Sequence, residues 1–122
     1  MIRSTGGFIF GGFADKPWTS TDKYFESDKA FLFSLKSPSN EVGLTKMRIK
    51  QNMCCAALGH SSYYGLTFGG GHDLCIESDT NNNSTSSSYL GQTYEIPHGQ
   101  TNTFWVGSKY FKVSDIEVFQ VI

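Results

Sequence analysis

Apolar and polar residues change over in short runs along this chain, and no run keeps a helical period for as long as about ten residues. Phe8-Ile9-Phe10 is a short apolar run bracketed by glycine pairs, which predicts a central strand buried on both faces. Phe31 to Leu35 is apolar at nearly every position and predicts a second buried strand. Lys46 to Lys50 alternates instead. Met47 and Ile49 should point inward while Lys46, Arg48 and Lys50 point outward, the pattern of a half-exposed strand at a sheet edge. Cys54 to Leu58 reads as another apolar strand. From Asp73 the alternation resumes, with Leu74 and Ile76 on one face and Asp73, Cys75 and Glu77 on the other. Four more short strands are predicted at Gln92 to Ile96, Thr103 to Val106, Tyr110 to Val113 and Ile116 to Val121, separated by turn-forming residues. The pattern predicts a mainly β fold, an antiparallel two-sheet β-sandwich with few or no helices.

The segments between the strands have their own expectations. Ala14 to Phe25 reads as an irregular crossing loop anchored by Trp18, whose indole would plug the core in one step. Asp28, just before a strand, is placed to bond nearby backbone donors. Residues 78–88 (SDTNNNSTSSS) form a polar low-complexity stretch, expected to be a mobile surface loop open to proteolysis.

Composition narrows the function classes. At 122 residues the chain is a single domain, 1–122, large enough to bury one core. A net charge of −1 with 17% charged residues leaves no basic field for nucleic acid or anionic lipid. No apolar run approaches the roughly 20 residues that cross a bilayer, and the first residues lack a signal-peptide pattern. A cytoplasmic protein without direct membrane insertion is expected. Cys54, Cys55 and Cys75 form no C-x-x-C pair and read as reduced thiols, so neither a metal nor a cofactor is implied.

Candidate chemistry concentrates in Gly65-Leu66-Thr67-Phe68-Gly69-Gly70-Gly71-His72-Asp73-Leu74-Cys75. Gly65 and Gly70 have the spacing of a phosphate-binding loop, but Gly71 and His72 stand where that loop needs lysine and a hydroxyl, and a strand follows in place of a helix. His72 and Asp73 are expected to hydrogen-bond the bend formed by Gly69, Gly70 and Gly71 and a neighbouring strand. The weaker catalytic reading takes His72, Asp73, Cys75, Asp115 and Glu117 as candidates. Asp115 and Glu117, two apart on a strand, share one face at about 6–7 Å. An exposed sheet edge is the preferred reading of that pair, since no aromatic platform for a sugar lies nearby. Lys46, Arg48 and Lys50 are the clustered cations and the candidates for docking an acidic partner.

Several of these blocks, in this order, resemble the TLDc domain family. They are Gly6-Gly7-Phe8-Ile9-Phe10-Gly11-Gly12-Phe13, Pro17-Trp18, Asp28 to Leu35, Phe68-Gly69-Gly70-Gly71-His72-Asp73-Leu74, Leu90-Gly91-Gln92-Thr93-Tyr94 and Val113 to Phe119. The glycine block is similar to a subgroup of protist and invertebrate members, and to interferon-induced relatives in which the domain precedes a GTP-binding region. The resemblance implies a β-sandwich taken up after its N-terminal portion, and a regulatory protein linked to oxidative stress resistance. It further implies a protein partner, the vacuolar proton-pumping ATPase. It carries over no catalytic residue. A hydrolytic or antioxidant enzyme with a pocket near the glycine bend, and an adaptor segment of a larger GTP-binding immune-response protein, are the alternative readings. Apolar faces left uncovered at Phe8 to Phe10 or Phe31 to Leu35 would favour self-association.

Overall fold

The computed structural model describes residues 1–17, 23–38, 44–61, 65–76 and 86–121. The chain folds into two antiparallel sheets. The first contains β1 (Ile2–Ser4), β2 (Ile9–Phe13), β4 (Phe31–Lys36), β5 (Thr45–Arg48) and β11 (Val113–Ile116) in the order β11-β1-β2-β4-β5. The second contains β3 (Lys23–Phe25), β6 (Leu58–Ser61), β7 (Gly65–Phe68), β8 (Leu74–Ile76), β9 (Ser86–Ser88) and β10 (Tyr110–Phe111) in the order β10-β9-β8-β7-β6-β3. Among the described residues the only helical turn is 3-10, at Cys54–Ala56. The mainly β, two-sheet architecture expected from the hydrophobic pattern is therefore the architecture found.

Inward-facing residues of the two sheets build one core. Phe10 in β2, Leu32 in β4, Met47 in β5 and Leu74 in β8 are buried, and the cross-strand register puts Leu32 beside both Gly12 and Met47. A Cβ on Gly12 would lie 2.5 Å from the Phe68 ring, so the missing side chain is what lets β7 press onto β2. Trp105 fills the centre. Its indole is fully buried, 4.8 Å from the Phe10 ring, and the Phe111 ring meets Phe10 edge-on at 5.2 Å.

β2 does lie in the middle of its sheet, as its apolar run predicts, but it begins at Ile9 and is not buried on both faces: Phe10 is buried whereas Phe8 and Ile9 are half-buried. β4 differs from expectation. Leu32 and Ser34 are buried, Phe31 and Phe33 are half-buried and Leu35 is exposed, so β4 alternates, with only one face in the core. Its outer face carries phenylalanine, and apolarity alone does not separate the two faces. β5 ends the first sheet with Met47 buried and Lys46 and Arg48 exposed, the edge strand that alternation predicts.

Other strand assignments are corrected. Cys54 to Leu58 is not a strand. The left-handed turn at Asn52 (φ +66°) is followed by the 3-10 turn, and β6 begins only at Leu58. Gln92 to Ile96 contributes a single bridge, Tyr94 to Ile49, because the neighbouring amides are turned toward a side chain. Thr103 to Val106 is a series of turns closed by Val106 N–H to Thr103 and Gly107 N–H to Thr103. The last strand is Val113–Ile116, and residues 117–121 form no strand. At the end of the polar stretch, Ser86–Ser88 is a strand between β8 and β10, with Ser86 and Ser88 buried. Residues 78–85 of that stretch, and Trp18, lie outside the described residues.

Asp28 is exposed. The backbone-bonding role falls to its neighbour Ser27, whose Oγ accepts from Lys29 N–H at 3.2 Å and Ala30 N–H at 3.0 Å and donates to Asp15 at 2.6 Å.

Candidate functional site

β7 runs directly into a turn at residues 69–72, which delivers Asp73 to the interior just before β8 begins. The turn closes with His72 N–H donating to the Gly69 carbonyl at 3.0 Å. Gly69 has φ +90°, and a Cβ there would fall 2.2 Å from Asp73 Oδ1, so both backbone conformation and space require glycine. Gly70 N–H donates to Thr93 Oγ1 at 3.1 Å, and Gly71 packs against the Gln92 side chain. His72 also takes a left-handed conformation, φ +58°.

Asp73 is completely buried and receives four consecutive backbone amides. Oδ2 accepts from Gly91, Gln92 and Tyr94 at 3.1 Å each and from Thr93 at 3.2 Å, while Oδ1 accepts from Thr93 at 2.9 Å. The Asp73 carbonyl takes Tyr89 N–H at 3.1 Å. Four amides aimed at one carboxylate form a nest for negative charge built from the main chain. Burial pushes the carboxyl above its ordinary value, and the amides of Tyr94, Thr93, Gln92 and Gly91 pull it back part of the way.

Around this carboxylate the chain is tied in three further places. Tyr94 Oη donates to the Ala57 carbonyl at 2.8 Å, and Gly69 N–H donates to the same carbonyl at 2.9 Å. Burial first, and then the charges of Asp73 and Asp15, push the Tyr94 phenol upward, so it stays a neutral donor. Lys50 Nζ donates to the Gly91 carbonyl. The carboxylate thus joins the glycine turn, the 3-10 turn and the 91–94 loop. Its oxygens already face main-chain donors, an arrangement suited to holding structure.

The remaining candidates lie elsewhere. Cys75 is buried in β8 with Thr67 Oγ1 3.8 Å from its Sγ, whereas Cys54 is half-buried and Cys55 exposed on the 3-10 turn. Asp115, in register with Arg3, and Glu117, whose N–H donates to the Met1 carbonyl, are exposed at the far end of the first sheet. They border a shallow depression with Ile2, Arg3 and Ile9. The structure does not bring them together with Cys75, in β8 of the second sheet, or with Asp73, just before it. Among the described residues no three His, Cys, Asp or Glu side chains are grouped to hold a metal ion, and no helix is long and apolar enough to cross a membrane.

The three cations also separate. Lys50 is committed to Gly91, but Lys46 and Arg48 stand exposed on the outer face of β5. Lys46 Nζ sits 3.9 Å from the centroid of the Phe31 ring, and Phe31 stacks on Phe13 at 5.2 Å. Phe33, in register with Lys46, extends this half-buried aromatic strip. Sequence reasoning missed the strip because Phe31 and Phe33 read as core. It also missed the amides of Gly91 to Tyr94, whose partner is distant in sequence; only the recurrence of that block as a landmark signals them.

Compared with known proteins, the chain matches the TLDc domain over residues 1–122. No curated protein and no solved structure matches it.

Proposed function

The chain belongs to the TLDc family, which is associated in general with oxidative stress, and from that premise we propose that it is a non-catalytic interaction module of the cytoplasm. Its partner is a protein surface that combines acidic and apolar groups, and the partner that the family suggests is the vacuolar proton-pumping ATPase. The observation that carries this reading is the outer face of the first sheet, where Lys46 and Arg48 border the strip of Phe13, Phe31 and Phe33. Aromatic residues and arginine are enriched at protein interfaces, and a lysine beside them adds charge complementary to an acidic surface. The buried, amide-bound Asp73 supports the non-catalytic half of the proposal, since its oxygens are held by the main chain.

The test is a binding assay between the purified chain and the detached cytosolic sector of the pump. The parent should bind, and a Lys46→Glu, Arg48→Glu double variant with an unchanged melting curve should bind at least about tenfold more weakly, because the reversed charges would repel an acidic surface. A folded parent that does not bind would remove the pump as partner. Equal binding by parent and double variant would remove this face as the docking surface.

A further inference from the structure

Opposite the β5 edge, the first sheet ends at β11, whose outer side faces no other strand among the described residues. Asp115 is in register with Arg3, and Glu117 N–H donates to the Met1 carbonyl at 2.8 Å, so the main-chain groups of Asp115 and Glu117 face β1. Antiparallel pairing alternates, which turns the N–H and C=O groups of Ile116 away from the sheet, and the same alternation carried past the end of β11 would turn those of Val118 the same way. Side-chain exposure follows the same segment: Ile116 is 41% exposed, Val118 87%, Phe119 69% and Val121 74%. The stretch Ile116-Glu117-Val118-Phe119-Gln120-Val121 contains no glycine or proline and is rich in strand-forming residues. An open edge with this composition is a template for another strand.

We propose that a second copy of this chain supplies that strand. The two copies pair antiparallel, 115–121 against 115–121, across a two-fold axis that passes through Val118 and continues the five-stranded sheet into the partner. Charge selects the register. With the axis at Ile116, Asp115 of each copy would face Glu117 of the other, and with the axis at Glu117 the two Glu117 carboxylates would meet; like charges directly opposite are destabilising. An axis at Val118 sets Glu117 against Phe119, Ile116 against Gln120 and Asp115 against Val121, with no carboxylate facing another. Among the described residues it is also the longest overlap that meets this condition, since an axis at Phe119 drops Asp115 and Ile116 from the ladder. A strand that complements itself in this way fits the isologous contact of a two-fold dimer. A net charge of −1 per chain opposes such pairing only weakly. The dimer edge lies at the opposite end of the sheet from Lys46 and Arg48, so it is independent of the docking face proposed above.

Sedimentation velocity of the whole chain over a concentration series tests the proposal, with Val118→Pro as the first variant and Val118→Cys as the second. The parent should show a concentration-dependent dimer. Val118→Pro, which removes the N–H at the axis from an exposed residue outside the core, should weaken dimerisation at least about tenfold while leaving the melting temperature unchanged. Val118→Cys should form an intermolecular disulfide under mild oxidation, because paired residues on the axis lie about 5.5 Å apart between Cα atoms, within disulfide reach. Asp115→Cys, facing Val121 in the partner, should cross-link far less. A parent that remains monomeric throughout overturns the proposal. So does a dimer that Val118→Pro leaves intact, or equal cross-linking through positions 115 and 118.

Discussion

Two regions of this molecule carry its notable polar groups, and they treat them in opposite ways. Around Asp73 a buried carboxylate meets the amides of Gly91 to Tyr94, Tyr94 bonds the Ala57 carbonyl and Lys50 bonds that of Gly91. On the outer face of the first sheet, Lys46 and Arg48 are exposed beside half-buried phenylalanines. Desolvated charge is tolerable only where it is fully paired, and exposed charge contributes little to stability. The first region should therefore govern whether the chain folds, and the second what it meets. Substitutions in the two regions should separate stability from binding.

The largest effect should come from removing the carboxylate itself. Asp73→Ala removes the acceptor of four amides, at about 1–3 kcal/mol for each that stays buried without a partner. The sum is comparable with the whole stability of a domain, about 5–15 kcal/mol. Loss of the cooperative urea transition is the expected result, and a transition within about 1 kcal/mol of the parent would show that the 91–94 loop finds other partners.

Gly69→Ala comes next. The residue has φ +90° and a Cβ would sit 2.2 Å from Asp73 Oδ1, so the substitution combines backbone strain with displacement of the carboxylate. About 3 kcal/mol or more is expected. Gly99 separates the two causes. Its φ is +80° but a Cβ there has nothing within 4 Å, and Gly99→Ala should cost only about 1 kcal/mol. Equal losses in the two variants would mean that strain alone, without the carboxylate, sets the need for glycine at position 69.

How much of this was legible in the sequence depends on the range of the interaction. β5 and the position of β2 follow from local alternation or a bracketed apolar run, because inward and outward positions are set by neighbours two residues away. In β8 the two predicted faces do not separate, since Leu74 and Cys75 are both buried. The 91–94 segment could not be read that way. Its apparent strand character gives way to a carboxylate about 20 positions earlier in the chain, and nothing in Gln92-Thr93-Tyr94 specifies that amides turn toward a side chain. Trp105 was concealed similarly, since the indole that fills the core hangs from a run of turns. The outer aromatic strip was hidden by composition, as phenylalanine reads as core on either face of a strand.

A smaller effect concerns pH. Because burial raises the Asp73 carboxyl above its ordinary value of 3.8, the folded protein holds this proton more tightly than the unfolded chain. The stability it contributes is fully present below 3.8 and is lost as pH rises through the folded value. Urea midpoints of the parent, relative to Asp73→Asn, should therefore fall as pH is raised above 3.8. A rise over the same interval would show that the four amides outweigh burial and hold the anion.

The smallest stability effect sharpens the comparison most. Lys46→Glu with Arg48→Glu removes a cation from the Phe31 face and reverses two exposed charges, leaving Met47 and the β4 pairing in place. Surface changes of this kind stay within about 0.5 kcal/mol each. An unchanged melt combined with lost partner binding would assign the two regions separate roles. A large loss of stability would mean that Lys46 and Arg48 hold the edge strand onto β4, and the face would then join Asp73 as part of what keeps the sandwich closed.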